Sequence, residues 1–172
     1  MIKQNGKWTR IPPELERAFY AHHEAGHVVM HYLKKVRFAY VTINGTMSER
    51  PDVKSFVCVN PISFEKRKKV LEREFLLDMA GTIAEKIYLK SKGYEVCPGY
   101  TKSDLRLIMN KAEKYFGITE PDVIDKKLKE LEPECKNLIE QNCKAITAIV
   151  EALLKEETIG YKKAREIIKR IK

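Results

Sequence analysis

The sequence predicts a mainly α, α+β fold: a helical, bundle-like domain with a small β-hairpin or sheet near residues 36–60. Three observations carry this. Apolar residues recur at spacings of three and four through most of the chain, as a core-facing helical stripe requires. Only between residues 36 and 60 does the period shorten into β-branched and aromatic runs around Asn44-Gly45. Pro12-Pro13, Gly93, Gly117 and Pro121 fall where those helices would begin or end. A chain of 172 residues suits one domain with a single core. Within it, residues 1–11 read as a polar lead-in, 12–117 as the region carrying the site, and 118–172 as a C-terminal helical part.

The first helix is expected to open at Pro12-Pro13-Glu14, with proline tolerated in the first turn and glutamate favoured there by the dipole. It should run to about Lys35, with Leu15, Phe19, Ala25, Val29, Met30 and Leu33 as its stripe. Val36–Ile43 and Val53–Val59 then read as two strands of a small sheet, either a structural hairpin or an edge that accepts an extended peptide. Ser63 can cap a long helix reaching about Lys92, with Leu71, Phe75, Met79, Ile83 and Ile87 inward. Gly81 on that helix permits close approach of a neighbour.

Residues 93–100 read as a loop, after which Thr101 or Ser103 caps a helix that opens with Asp104 and stops at Gly117. The C-terminal part starts at Thr119-Glu120-Pro121-Asp122, and Pro133 should break or kink it. A long helix to about Glu157 follows, with Leu138, Ile146, Ile149, Val150 and Leu153 inward. Gly160 interrupts, and a short basic helix from Tyr161 closes the chain.

Composition narrows the function classes. The excess of 33 Lys+Arg over 24 Asp+Glu gives +9, which admits anionic partners. The charges are interleaved, however, as in Glu65-Lys66-Arg67-Lys68-Lys69, and the basic tail carries no aromatic stacking pattern. Nucleic acid is therefore not the expected partner. No apolar run approaches the ~18 residues of a membrane span, and the first residues lack an apolar signal core, so a cytoplasmic location is expected. Cysteines stand alone at 58, 97, 135 and 143, which supports no knuckle or redox motif.

The chemistry concentrates in His22-His23-Glu24-Ala25-Gly26-His27, which holds three of the four histidines. His23 and His27 lie one helical turn apart and can grip one metal ion, with Glu24 beside it as general base. His31 shares their face, but eight residues span about 12 Å, too far for a ligand of the same ion. His22 points about 100° away. A catalytic zinc takes three protein ligands and an open position, so a carboxylate or cysteine must complete the set. Glu85, beside Gly81 and Ala84, and Asp104, at a helix start, are the two candidates, and the residues alone do not separate them.

Ala21-His22-His23-Glu24-Ala25-Gly26-His27 resembles the zinc signature of the FtsH-type metalloproteases, the membrane-anchored AAA+ proteases, with His22 where that family usually has tyrosine. Met79-Ala80-Gly81-Thr82-Ile83-Ala84-Glu85-Lys86-Ile87 is similar to that family's Gly-Gly-Arg-x-Ala-Glu-Glu helix. Ser103-Asp104-Leu105 resembles its Asn-Asp-(Leu/Ile) segment, and Ala152–Ile159 resembles its Ala-Leu-Leu-Glu-x-Glu-Thr-Leu segment. The resemblance spans about residues 13–170.

It implies one Zn²⁺ held by His23, His27 and Asp104, Glu24 as catalytic base, and Glu85 as a supporting carboxylate. The activity it implies is zinc-dependent endoproteolysis of unfolded or flexible polypeptides. The ATPase loop Gly-x-x-x-x-Gly-Lys-(Ser/Thr) and the transmembrane segments of that family do not occur in these residues. The expected partners are therefore polypeptide substrates, with a separate ATPase or self-association as further possibilities. The alternative expectation is a zinc-stabilised peptide-binding module derived from such a protease.

Overall fold

The computed structural model describes residues 2–4, 6–45, 55–58, 68–100 and 102–171. The predicted cap at Ser63, the Thr101 cap, and Val53, Lys54 and Val59 of the predicted second strand lie outside them. Helix is 71% of the structure, as the stripes require.

A hairpin opens the chain, β1 (Ile2–Gln4) against β2 (Lys7–Thr9). Helix α1 (Pro13–Leu33) follows, then β3 (Tyr40–Thr42) and β4 (Phe56–Cys58). Helix α2 (Lys68–Ser91), β5 (Glu95–Val96) and α3 (Lys102–Phe116) come next. The chain ends with α4 (Pro121–Gln141), α5 (Cys143–Glu156), β6 (Thr158–Gly160) and α6 (Tyr161–Ile171).

The centre of the molecule is the antiparallel contact of α1 with α2. His23 meets Glu85 at one end of it, while His27 meets the carbonyl of Leu77 one turn further on. Two glycines make that approach possible. A Cβ on Gly26 would lie 2.5 Å from the Ala80 carbonyl oxygen and 2.7 Å from the Ala84 Cβ, well inside van der Waals contact. Val28, Val29, Met30, Phe75, Met79 and Ala80 pack around the crossing, and α4 and α5 cover it with Leu128, Ile139, Ile149 and Leu153.

Several expectations are corrected. Residues 1–11 are not a mere lead-in. The hairpin turns at Gly6 (φ 76°), and β1 pairs with β5 through Ile2↔Val96. Ile2 is fully buried, so one apolar side chain anchors the sheet β2-β1-β5 and the stretch 93–100 is not all loop. Of the predicted strand 36–43 only Tyr40–Thr42 pairs; the chain bends at Ala39 and Ile43, and Val36 and Phe38 before it are irregular backbone with their side chains buried in the core. Its sheet has the order β4-β3-β6, with Val41 opposite both Val57 and Ile159. The third strand comes from the segment that Gly160 was expected only to interrupt.

Pro133 neither breaks nor ends α4, which continues to Gln141. Pro133 and Lys129 are both exposed, so water satisfies the carbonyl that the missing N–H leaves free. The break falls instead at Asn142, which departs from helical geometry at φ −110° and ψ 22° and whose side-chain amide donates to the Leu138 carbonyl at 2.8 Å, satisfying one carbonyl of the helix end. Cys135 and Cys143 therefore sit on different helices. No helix among the described residues is long and apolar enough to cross a membrane.

Candidate metal centre

Helix α1 carries His23 and His27 on the face turned toward α2, and burial removes His23, Glu24 and His31 from water. Each ring is oriented by an acceptor behind it. The Nδ1 of His23 donates to Glu85 Oε2 at 2.6 Å, and that of His27 donates to the Leu77 carbonyl at 2.7 Å. With Nδ1–H fixed in this way, both Nε2 atoms turn their lone pairs inward, the tautomer a metal ligand needs.

Asp104 arrives from the first turn of α3. Thr82 on α2 donates to its Oδ2 at 2.6 Å, which leaves Oδ1 facing the two rings, 3.6 Å from His23 Nε2 and 4.0 Å from His27 Nε2. The two Nε2 atoms are 3.1 Å apart. A circle through three points at these separations has a radius of about 2.1 Å, the length of imidazole and carboxylate bonds to a small divalent ion. Gly81 keeps the space open. A Cβ there would lie 2.3 Å from His27 Nε2 and 2.8 Å from His23 Nε2. Among the described residues, His23, His27 and Asp104 are the group that could hold a metal ion.

The electrostatics suit a cation. Burial alone would lower the His23 pKa, but the Asp104 and Glu85 carboxylates outweigh it and hold the imidazolium well above its usual range. His27 moves the other way, lowered by burial and by His23. Burial would raise Asp104, yet its contacts with His23, His27 and Thr82 bring it below the usual carboxylate range. The converging groups thus pair an imidazole that favours its charged form with an ionised carboxylate, and a metal ion binding there would have to displace the His23 proton.

Glu24, next in sequence to His23, is 2% exposed and its Oε2 has no hydrogen-bond partner among the described residues. Burial raises its pKa to about 7, opposed by His23 and by a hydrogen bond from Ser55. A buried carboxyl poised near neutrality beside a metal site can take up and return a proton.

The other expected positions fall as follows. Glu85 and Asp104 both reach His23, from opposite ring nitrogens, so Glu85 stands behind the ligand and Asp104 in the ligand set. His22 stacks on Tyr88 with centroids 3.9 Å apart and takes no part. His31 packs edge-on to Phe38, with its pKa lowered by burial to about 3. The Tyr100 hydroxyl donates to Glu132 at 3.3 Å. Thr82 and the Leu77 carbonyl are orienting groups that no sequence signal announced. No protein-family profile matches the chain, and no curated protein matches it.

Proposed function

We propose that this chain is a zinc-dependent metalloendopeptidase acting on unfolded or flexible polypeptides. The observation that carries the reading is the convergence of three ligand atoms on one point, with the buried carboxyl of Glu24, its Oε2 without a hydrogen-bond partner among the described residues, on the same helical turn. Two imidazoles and one carboxylate suit zinc, and three protein ligands leave a position open. When bound there, zinc supplies a Lewis acid for the scissile carbonyl and lowers the pKa of water toward ~7. Glu24 takes the proton from the attacking water and returns it to the leaving amine. Glu85 and the Leu77 carbonyl keep both imidazoles in the metal-facing tautomer, and Thr82 holds Asp104 in register.

Substrate reach follows from β4. Among the described residues it pairs with β3 alone, and it packs on α1 directly after Ser55, which bonds to Glu24. An extended peptide adding to the free edge of β4 would run past the base. The segments similar to the FtsH-type peptidases support the same reading.

The test is hydrolysis of a reduced, unfolded polypeptide by zinc-loaded protein. Glu24→Gln should keep zinc and the fold while losing about 10²–10⁴ in rate. Unchanged hydrolysis by a clean Glu24→Gln preparation overturns the assignment. Wild type that holds zinc but cleaves no unfolded substrate would instead leave the non-catalytic peptide-binding module.

A further inference from the structure

The helix bearing Asp104 is thinly anchored. Its buried side chains among the described residues are Asp104, Ile108 and Ala112, while Leu105, Leu107 and Met109 are exposed. Among the described residues, an ion pair also ties it to α2. Lys111, two turns beyond Asp104 on the same face, places its ammonium 2.7 Å from Asp78 Oδ1 and 3.2 Å from Glu74 Oε2. Both carboxylates are buried, at 8% and 3% exposure, and Asp78 Oδ2 has no other partner among the described residues. Arg73 also meets Glu74, at 3.2 Å, but from α2 itself, so this pair does not link the two helices. Glu74 and Asp78 lie two turns and one turn, respectively, before Thr82, which holds Asp104.

We propose that Lys111 is a positioning residue for the metal centre: it clamps α3 onto the Glu74/Asp78 pair and so holds Asp104 at the ligand distance. The inference rests on the metal reading above and adds a residue to it. Two mechanisms for Lys111 have opposite signs, which makes the question decidable. Acting only as a remote charge, Lys111 repels a divalent cation, and its removal would tighten binding. As a clamp, its removal frees the third ligand and weakens binding. Supporting residues of this kind are worth about 10–100-fold in metal affinity.

The experiment is zinc affinity by competition with a chromophoric chelator, together with the visible spectrum of the Co²⁺-loaded protein. Wild type, Lys111→Met and Lys111→Arg are compared, with far-UV circular dichroism on each. The clamp predicts zinc binding about 10–100-fold weaker in Lys111→Met, a Co²⁺ spectrum shifted from wild type, and recovery of both in Lys111→Arg. Should Lys111→Met fail to fold because two carboxylates are left buried without a cation, the charge-neutral triple variant Glu74→Gln/Asp78→Asn/Lys111→Met takes its place, with the same expected loss. Wild-type or tighter affinity with an unchanged Co²⁺ spectrum in the folded variant overturns the clamp. Failure of the wild type itself to take up zinc or Co²⁺ would refute the metal reading beneath it, a separate result.

Discussion

Gly81→Ala is the sharpest perturbation of the site, because it adds one methyl group at a known place. That carbon would lie 2.3 Å from His27 Nε2, 2.7 Å from His27 Cδ2 and 2.8 Å from His23 Nε2. Carbon contacts relax to about 3.5–4.0 Å, so the rings must retreat by about 1 Å or more. Metal–ligand distances tolerate about 0.2 Å. His27 must therefore give up the Leu77 carbonyl and its place in the ligand set, and zinc affinity should fall by at least about 100-fold.

The same change should not unfold the protein. Gly81 sits inside α2 and is not among the glycines with positive φ. Alanine there gains up to about 1 kcal/mol of helix stability, which offsets part of the ring displacement. Chelator competition measures the affinity, and circular dichroism with thermal melting of the metal-free protein measures the fold. Gly81→Ala protein with wild-type zinc affinity would refute the ligand geometry. Failure to fold would show that the α1–α2 crossing, rather than the metal space, is what Gly81 protects.

Glu85→Gln keeps an acceptor for His23 but removes its charge, so zinc should stay bound with affinity about tenfold weaker; an unchanged value would mean Glu85 does not support the ligand. His31 gives a pH test. Its folded pKa of about 3 lies below the ordinary 6.5, so the unfolded chain binds more protons between those values. Its contribution is fully present above pH 6.5 and is lost as pH falls toward 3, on the order of 4 kcal/mol across the window. Urea unfolding of metal-free His31→Leu should therefore lose less stability than wild type between pH 6.5 and 4, and parallel pH profiles would show that His31 is not buried as a neutral ring.

Much of the fold was legible because long stripes report burial directly. Both partners of the central crossing, α1 and α2, announce themselves by apolar residues three and four apart, and Gly81 by its small size among them. The missed elements are those whose partner is remote in sequence. The strands Ile2–Gln4 and Glu95–Val96 are too short for a period, and only their mutual pairing makes them strands. Pro133 misled because the buried stripe on both sides of it, Leu128, Leu131, Cys135 and Ile139, holds α4 together through it, while Asn142, with no strong local signature, ended it.

At the site, the helical motif fixed His23, Glu24 and His27 by spacing alone. Glu85 and Asp104 stayed equivalent on the residues because each truly reaches His23. What separates them is which ring nitrogen they face, and that depends on Thr82 and on the docking of α3. Nothing local in the sequence marks Lys111 as the partner of Glu74 and Asp78, more than thirty residues away.

The most direct measurement is the metal content of the purified protein after reconstitution with zinc, comparing wild type, Asp104→Ala and Glu85→Ala. The account predicts about one zinc per chain in wild type, since three converging ligands make one site. It predicts that zinc is lost in Asp104→Ala and retained, more weakly, in Glu85→Ala. Wild type that holds no zinc, or Asp104→Ala that holds it as well as wild type does, would contradict the central claim.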